Sequence, residues 1–316
     1  MVLPPTTHMF ADKQQSKKPE RIKLLSFGEV LWDIIDDQAY IGGAPFNLAA
    51  HAARCGLDAY LLSCVGADDL GRRARAEIDR MHVRSPYVQT DSQHPTGTVT
   101  VRLSAGGQPS YVIHPDAAWD FVEIRKDLLD SLAAENFKVV CFGSLAQRGA
   151  VSRASLMSVL EELEGVVTFF DVNLRLNYYS RELLMACLPR ATVLKLNDSE
   201  VEVIADLLFN RKMTAAEFAQ AMQGRFSVRV ILITMGAQGC AVAEGGAFEI
   251  CPVRPVAVVD TVGAGDAFSA AFLAGWLRGK TAIEAAAMGN LLGAFVASRR
   301  GAIPDYDNEI RSLLGL

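Results

Sequence analysis

The amino-acid sequence predicts an α/β protein with an open, mostly parallel β-sheet and helices on both of its faces. Short runs of β-branched and aliphatic residues alternate along the chain with segments of helical period. These runs are apolar on both sides, which is typical of strands that helices cover on both faces. The chain has 316 residues, half of them hydrophobic, so it can bury a large core without disulfides.

Seven apolar runs are predicted as strands and six periodic segments as helices. In chain order the predicted strands are Ile22–Phe27, Ala59–Val65, Lys138–Phe142, Val166–Phe170, Thr192–Leu196, Val228–Thr234 and Val256–Val259. The predicted helices are Pro45–Cys55, Asp69–His82, Ala150–Leu163, Asp198–Phe209, Ala264–Leu277 and Thr281–Ser298.

The region Tyr87–Pro115 interrupts this alternation. It contains two short strand patterns, Thr98–Leu103 and Ser110–His114, joined by the turn Ser104–Gln108 with its Gly-Gly pair. This pattern predicts a β-hairpin. A small β element inserted in an α/β domain often serves as a lid or an oligomer contact, although a hairpin that only decorates the fold is the alternative.

Charge, hydropathy and cysteine usage exclude several classes of protein. The formal net charge is −5 and the basic residues are scattered, so no basic face for nucleic acid is predicted. No apolar run reaches the ~18 residues of a membrane span, and residues 1–20 lack the apolar region of a signal peptide. The six cysteines form no C-x-x-C pair, which indicates buried thiols in a reducing compartment. We therefore expect a cytoplasmic protein, with residues 1–20 as a disordered leader and with neither nucleic acid nor membrane as a partner.

The most specific motif is Asp260–Phe268, with the sequence DTVGAGDAF, which opens the helix predicted to begin near Ala264. Gly263 and Gly265 lack Cβ atoms, so backbone amides can approach a ligand closely at a helix N-terminus, where the dipole favours an anion. Asp266 lies in that first turn and is suited to accept a proton from a hydroxyl that attacks a phosphate. The motif therefore predicts a site for phosphoryl transfer.

Two better-known phosphate loops do not fit this motif. It lacks the Gly-Lys-Ser/Thr ending of a Walker A loop, and Phe268 stands where a dinucleotide fingerprint needs a third glycine. An ordinary glycine turn, with Asp266 as an N-terminal helix charge, remains the alternative interpretation.

A second glycine motif, GGAPFN at Gly42–Asn47, begins the helix Pro45–Cys55. Proline at a helix start fits its fixed φ, and Asn47 offers both a donor and an acceptor to ligand hydroxyls. Asp33 follows the first strand, and open α/β sheets bind ligands beyond the carboxyl ends of their strands. We therefore expect Asp33 and Asn47 to face one cleft, although each alone is also typical of a turn or cap.

Three further polar segments follow predicted strands. KLNDSE at Lys195–Glu200 lets Asn197 cap the next helix, and the same asparagine and glutamate can line a phosphate and Mg²⁺ site. TMGAQG at Thr234–Gly239 suits a nucleotide's ribose or phosphates, but taken by itself this pattern is more typical of a plain glycine turn. DVNLR at Asp171–Arg175 ends on an arginine that can neutralise a substrate or phosphate charge, or form a surface ion pair.

At these residues the chain resembles the PfkB, or ribokinase-like, family of carbohydrate kinases. The resemblance runs from Ile22 to Pro304, and its most specific segments are Gly42–Gly71 and Asp260–Phe268. The order of KLNDSE, TMGAQG and DTVGAGDAF along the chain is also that of the family. The resemblance implies a ribokinase-like kinase domain over residues 21–316, with a β lid inserted at about 87–115 and near 33–42.

The activity implied by the resemblance is phosphorylation of a sugar hydroxyl by ATP. The implied catalytic residues are Asp266, as the general base, and Gly263, Ala264 and Gly265, as the anion hole. The implied substrate-binding residues are Asp33, Gly43, Asn47 and Arg175. The implied nucleotide-binding residues are Lys195, Asn197, Thr234, Gly236, Gly239 and Asn290, and Glu200 is implied to hold Mg²⁺ through water. Relatives of this kind also bind a monovalent cation such as K⁺ near the motif, and many form homodimers through the lid.

GGAPFN and DVNLR look most like the motifs of fructokinases, although Val172 replaces a proline common in that subfamily. Fructose is therefore the expected substrate. A 2-keto-3-deoxygluconate kinase and a nucleoside kinase remain alternatives within the same chemistry. A non-catalytic sensor of sugars or nucleotides is the alternative of another class, against which the intact Asp266 motif argues.

Overall fold

The structure, a computed structural model, describes residues 21–103 and 109–316. Thirteen strands and ten helices lie within these ranges. The strands are β1 (Lys23–Phe27), β2 (Leu31–Ile35), β3 (Gln38–Gly42), β4 (Asp58–Gly66), β5 (Val88–Asp91), β6 (Gly97–Leu103), β7 (Pro109–Ile113), β8 (Val139–Gly143), β9 (Val167–Asp171), β10 (Val193–Asn197), β11 (Val230–Thr234), β12 (Cys240–Glu244) and β13 (Ala247–Cys251). The helices are α1 (Ala44–Arg54), α2 (Asp69–Arg80), α3 (Lys126–Ala134), α4 (Ala150–Glu162), α5 (Arg181–Cys187), α6 (Asp198–Phe209), α7 (Ala215–Arg225), α8 (Ala264–Trp276), α9 (Ala282–Ala297) and α10 (Asn308–Leu314).

Nine of the described strands form one sheet in the order β13-β12-β11-β10-β9-β8-β1-β4-β5. The strands from β11 to β5 pair in parallel, and β12 and β13 add an antiparallel edge. Leu24 and Leu25 of β1 are both fully buried but belong to different core clusters, because successive side chains of a strand point to opposite faces. Helices α1, α8 and α9 cover one face, and α4 to α7 cover the other. The predicted mostly parallel sheet with helices on both faces is confirmed.

The prediction of a strand at Val256–Val259 is wrong. These valines are largely exposed, and the backbone N–H of Val259 donates to the carbonyl of Ala297 at 2.9 Å instead of to a strand. The sheet edge next to β12 is already filled by β13, which turns back through Gly245 and Gly246. Both glycines have positive φ angles, of 59° and 85°, as a tight two-residue hairpin turn requires.

Four of the described strands form a second, small sheet in the order β3-β2-β6-β7. Strands β6 and β7 are the predicted hairpin, whose turn Ser104–Gln108 lies outside the described residues, as does the predicted leader at 1–20. The segment Val88–Asp91, expected to belong to this hairpin region, pairs instead with β4 of the large sheet. Residues 63–66 form the last part of β4. Their free edge offers backbone hydrogen-bonding groups, with which this segment pairs in parallel as β5.

The described part of the chain contains no helix that is long and apolar enough to cross a membrane. All six cysteines are buried and none is paired in a disulfide. Their predicted role as buried thiols is therefore confirmed.

A buried histidine joins α1 to the segment that follows α9. His51 Nδ1 lies 2.7 Å from the hydroxyl of Tyr306, and Nε2 lies 2.9 Å from the carbonyl oxygen of Ala302. Because a carbonyl can only accept, the neutral ring donates from Nε2 and accepts the tyrosine hydroxyl at Nδ1. Burial lowers the pKa of His51 to about 4, so the ring is neutral in the folded protein near pH 7.

We expect His51 to make the folded protein less stable as the pH falls from about 6.5 to about 4. The unfolded histidine takes up a proton in this range and the folded one does not. Its contribution is therefore complete above pH 6.5 and falls by about 3 kcal/mol by pH 4. Buried carboxyl groups oppose this trend, so the measurement is the difference in urea unfolding between the wild type and His51→Gln. A difference that does not change with pH would contradict the assignment.

Candidate active site

Three neighbouring strands of the large sheet have a polar residue as their last residue. Asp171 ends β9, Asn197 ends β10 and Thr234 ends β11. Helix α8 lies against the same edge, since the hydroxyl of its Ser269 donates to Asp171 Oδ2 at 3.2 Å. The carboxyl ends of parallel strands are where open α/β sheets bind ligands. We call the space between this sheet edge and the N-termini of α1 and α8 the cleft.

The glycine loop at the start of α8 is closely packed on two sides. Gly263 has a left-handed φ of +78°, and no side chain caps the helix there. A Cβ at Gly263 would lie 2.4 Å from the carbonyl oxygen of Ala302, and a Cβ at Gly265 would lie 3.0 Å from Lys195 Nζ. The amide of Ala264, one of the three predicted for an anion hole, donates to Thr261 at 3.2 Å. A helix N-terminus with an ammonium beside it is suited to bind an anion.

Asp266 lies in the first turn of α8, as predicted, and its carboxylate faces α1. The side-chain amide of Asn47 donates to Asp266 Oδ2 at 2.8 Å, although the two residues are 219 positions apart. Burial raises the pKa of Asp266 to about 6, and the nearby carboxylate of Asp171 adds to this effect. The hydrogen bond from Asn47 and the charges of Lys195 and Arg175 oppose it. Asp266 is therefore mainly ionised at pH 7 but is a stronger base than an exposed aspartate.

The ammonium group of Lys195 is not freely available to contact a nucleotide. It is buried, and its Nζ donates to both carboxylate oxygens of Asp171, at 2.9 and 3.1 Å. Burial disfavours the ammonium, but the attraction of Asp171, Asp266 and Glu200 together outweighs it and leaves the pKa of Lys195 raised. Asp171 was not among the residues predicted to be functional, although a carboxylate at the end of a buried strand is typical of a functional residue.

Asn197 and Glu200 form a reciprocal cap at the start of α6. Asn197 Oδ1 accepts from the amide of Glu200 at 2.9 Å, and Glu200 Oε2 accepts from the amide of Asn197 at 2.8 Å. Glu200 Oε1 also accepts from the amide of Leu174, at 2.7 Å. In residues 21–103 and 109–316 no group of three His, Cys, Asp or Glu side chains could hold a metal ion by itself. One carboxylate with free lone pairs nevertheless suits Mg²⁺ that keeps its waters and arrives with phosphate groups.

Three of the predicted substrate residues, Asp33, Gly43 and Asn47, lie in the wall formed by β2 and the start of α1, and Arg175 lies in the segment that follows β9. Gly43 has a φ of +108°, and a Cβ there would lie 2.5 Å from the carbonyl oxygen of Glu29. Burial raises the pKa of Asp33 to about 6, and the charge of Arg175 partly opposes this. The guanidinium of Arg175 is exposed, but its charge also lowers the pKa of Asp266. Asp33, Gly43, Asn47 and Arg175 therefore share one side of the cleft.

The remaining nucleotide candidates lie farther along the sheet, at β11 to β13 and on the helix α9 that packs there. The hydroxyl of Thr234 donates to Leu196 at 3.4 Å. Gly236 has a φ of +53° and open space where a Cβ would stand, whereas a Cβ at Gly239 would lie 2.1 Å from the carbonyl oxygen of Cys251. Asn290 donates to that same carbonyl at 2.8 Å. Gly239 and Asn290 thus hold the end of β13 in place at this part of the cleft.

Residues 17–309 match the model of the pfkB family carbohydrate kinases. The protein belongs to the pfkB family. The kinase is 31% identical over 278 residues to a fructokinase of Salmonella typhimurium, covering 83% of this chain and 87% of that protein. It is 29% identical over 299 residues to PH1459 of Pyrococcus horikoshii, covering 88% and 91%. The family resemblance seen in the motifs is therefore confirmed, and the kinase is a phosphotransferase that acts on a sugar hydroxyl.

Solved structures of relatives have the same fold. A crystal structure of PH1459, described as an uncharacterized sugar kinase, has a TM-score of 0.77 at 28% identity and covers 92% of the kinase and 99% of that chain. Another structure of PH1459 is a complex with ATP, with a TM-score of 0.74 over 88% of the kinase and 93% of that chain. A fructokinase of Vibrio cholerae with bound fructose, ADP and calcium has a TM-score of 0.76 at 24% identity, covers 89% and 94%, and supports the fold alone.

We expect Gly263→Ala to lower kcat by about 10²-fold, because the methyl group collides with Ala302 and shifts the start of α8. Gly279→Ala is the matched control. Gly279 also has a positive φ, of +91°, but open space around its Cβ position. Both variants should lose about 1–2 kcal/mol of stability from backbone strain, Gly263→Ala should lose more because of the collision, and only Gly263→Ala should lose activity in an ADP-release assay. Equal kinetics for the two variants would contradict this role of Gly263.

Proposed function

We propose that this kinase transfers the γ-phosphoryl group of ATP to a hydroxyl of a free sugar, with fructose as the best candidate. The observation that carries the proposal is Asp266, a buried base in the first turn of α8, held by Asn47 next to the predicted anion site. The relative named fructokinase, at 31% identity, supports the choice of sugar. The sugar lies against Asp33, Gly43, Asn47 and Arg175 in this proposal.

In the proposed reaction Asp266 accepts the proton of the attacking sugar hydroxyl. The hydroxyl oxygen forms a bond to the γ-phosphorus, the bond from that phosphorus to the bridging oxygen breaks, and ADP leaves with the electron pair. Helix α8 directs amides around Gly263 and Gly265 at the transferred group, and the ammonium of Lys195 adds positive charge behind them. Positioning and charge stabilisation supply most of the catalysis in such transfers.

The proposed nucleotide site runs along the sheet edge from Asn197 to Asn290, through Thr234, Gly236 and Gly239. Lys195 acts there through its charge, because its hydrogen bonds are taken by Asp171. Glu200 is the side chain that would hold a water of Mg²⁺, an ion that neutralises phosphate charge when bound. A K⁺ requirement also belongs to the proposal, to be tested by replacing K⁺ in the assay. The unpaired, buried cysteines support a cytoplasmic location.

The test of substrate and mechanism is an ADP-release assay over fructose, other sugars, 2-keto-3-deoxygluconate and a nucleoside, with and without Mg²⁺ and K⁺. We expect turnover to be fastest with fructose. Preference for one of the other compounds would replace fructose by it. If the protein turns over none of these compounds, a non-catalytic sensor of sugars or nucleotides is the better explanation of the site.

We expect Asp266→Asn to lower kcat by about 10²–10⁴-fold while the affinity for ATP changes little. In the wild type, kcat/KM should rise with pH through about 6, because the base must lose its proton before it can accept one. The residual activity of Asp266→Asn should lack this rise. Wild-type turnover by the variant would remove Asp266 from the role of base.

We also propose that the small sheet serves as a lid and as the contact of a homodimer. Its side chains Ile35, Tyr40, Tyr111 and Val112 are large, apolar and exposed. Tyr111→Glu should convert the dimer to a monomer in analytical ultracentrifugation, because a charge would be buried without a partner. Val203→Glu on α6, an exposed valine away from this sheet, is the control and should remain a dimer. A monomeric wild type would contradict the proposal.

A further inference from the structure

Glu29 is a buried acid just beyond the end of β1 that the proposed mechanism does not use. It is 3% exposed, and within the described residues its Oε2 atom has no hydrogen-bond partner. A buried polar atom without a partner costs about 1–3 kcal/mol, so folded proteins rarely leave one unpaired. Burial raises the pKa of Glu29 to about 7. A donor that reaches Oε2 would satisfy this atom and remove the cost of leaving it unpaired.

Glu29 lines a small cavity at the carboxyl ends of β1, β8 and β9. The cavity has a volume of about 20 Å³, and its wall also includes Ala44, Ser144, Asp171 and Asn173. A space of this size holds one oxygen-sized group. Arg175 and Asp266 are close enough for their charges to shift the pKa of Glu29, the first downwards and the second upwards. Ala44 begins α1 and Asp171 ends β9, which both border the cleft, and Gly43 packs against the backbone of Glu29, so the carboxyl group lies on the sugar side of the cleft.

A second buried acceptor on the same side also lacks a partner. Asn47 commits its amide NH₂ to Asp266, which fixes the side chain and leaves Oδ1 as an acceptor; this atom is buried and unpartnered among the described residues. Asp33 adds another largely buried carboxyl group to the wall. Three acceptor groups in one wall can be satisfied by the O–H groups of a polyhydroxyl compound, whereas the carboxylate of a sugar acid, which only accepts, could pair with the exposed Arg175 but would leave these three groups unsatisfied.

We propose that Glu29 determines substrate specificity by accepting a hydrogen bond from a sugar hydroxyl other than the one that is phosphorylated. Together with Asn47 and Asp33 it selects a neutral polyhydroxyl sugar over a sugar acid. The proposal rests on the sugar kinase function proposed above and adds a residue and a substrate class to it.

A purely structural role for Glu29 makes different predictions. Helix α1 has no side-chain cap and no acidic residue in its first turn, and the amide of its first residue, Ala44, lowers the pKa of Glu29. If Glu29 only stabilised this helix end, its loss would lower the melting temperature without a selective effect on sugar affinity. The experiment must therefore measure sugar affinity, ATP affinity and stability separately.

The experiment compares the wild type with Glu29→Gln, which keeps the volume but replaces one acceptor by a donor. KM for the sugar should rise roughly 10–100-fold, whereas KM for ATP should change less than twofold. The monodeoxy analogues of the sugar identify the hydroxyl involved. One analogue should bind the wild type much more weakly than the parent sugar, and Glu29→Gln should no longer distinguish the two. The wild type should also prefer the neutral sugar to 2-keto-3-deoxygluconate by at least about tenfold in kcat/KM.

Glu135→Gln is the matched control. Glu135 is a partly buried glutamate that binds Lys23 at the opposite end of β1, so its loss removes a carboxylate without touching the cleft. Its variant should keep wild-type KM values for both substrates. If Glu29→Gln does not fold, Glu29→Asp, which keeps the charge but draws the carboxyl group back, should show the same selective loss of sugar affinity.

Two results would overturn the inference while leaving the kinase function intact. One is an unchanged sugar KM in folded Glu29→Gln, and the other is a preference of the wild type for the sugar acid. Calorimetric titration of the sugar in the absence of ATP provides a readout that does not need turnover. If the wild type neither binds nor phosphorylates any sugar, the proposed function fails, and the role of Glu29 fails with it.

Discussion

The buried ammonium of Lys195 is the charge on which the rest of the site depends. Asp171, Glu200 and Asp266 place three carboxyl groups at one edge of the sheet, and burial together with the charge of Asp171 raises the pKa of Glu200 and of Asp266. Lys195 binds Asp171 directly, and its charge lowers the pKa of the other two. Without this cation Asp266 would hold its proton more tightly and would be a poorer base near neutral pH. The same ammonium lies against Gly265, where an incoming phosphate would gain from it.

Packing between distant segments sets the geometry around this charge. Asn47 of α1 reaches Asp266 of α8, and His51, one turn further along α1, holds the carbonyl of Ala302. That carbonyl in turn packs against Gly263, where a side chain would collide with it. The base is therefore positioned by the contact between α1 and α8, and the glycine loop by the segment after α9 that His51 of α1 holds in place. Such positioning is what a phosphoryl transfer requires of a protein.

The strands predicted from the sequence are correct where an apolar run is also buried on both of its faces. Strands β1 and β8 to β11 are apolar on both sides, and helices bury both of those sides. Val256–Val259 has the same apolar pattern but is exposed, because the pattern reports hydrophobicity and not the presence of a neighbouring strand. The hairpin of β12 and β13 was missed although Gly245-Gly246 is a strong turn signal. The first four residues of β13, at the edge of the sheet, are exposed on both of its faces, so this strand lacks the buried two-sided apolar run.

The sequence by itself determined the class of fold, the family and the place of Asp266 in the first turn of α8, because alternating runs and glycine motifs are local properties of the chain. Only the tertiary structure decided that Lys195 pairs with Asp171, that Asn47 holds Asp266 and that one oxygen of Glu29 has no partner in the part of the chain that the structure describes. These contacts depend on which strands become neighbours and how deeply each side chain is buried. Partners that lie tens to hundreds of residues apart leave no periodic trace in the sequence.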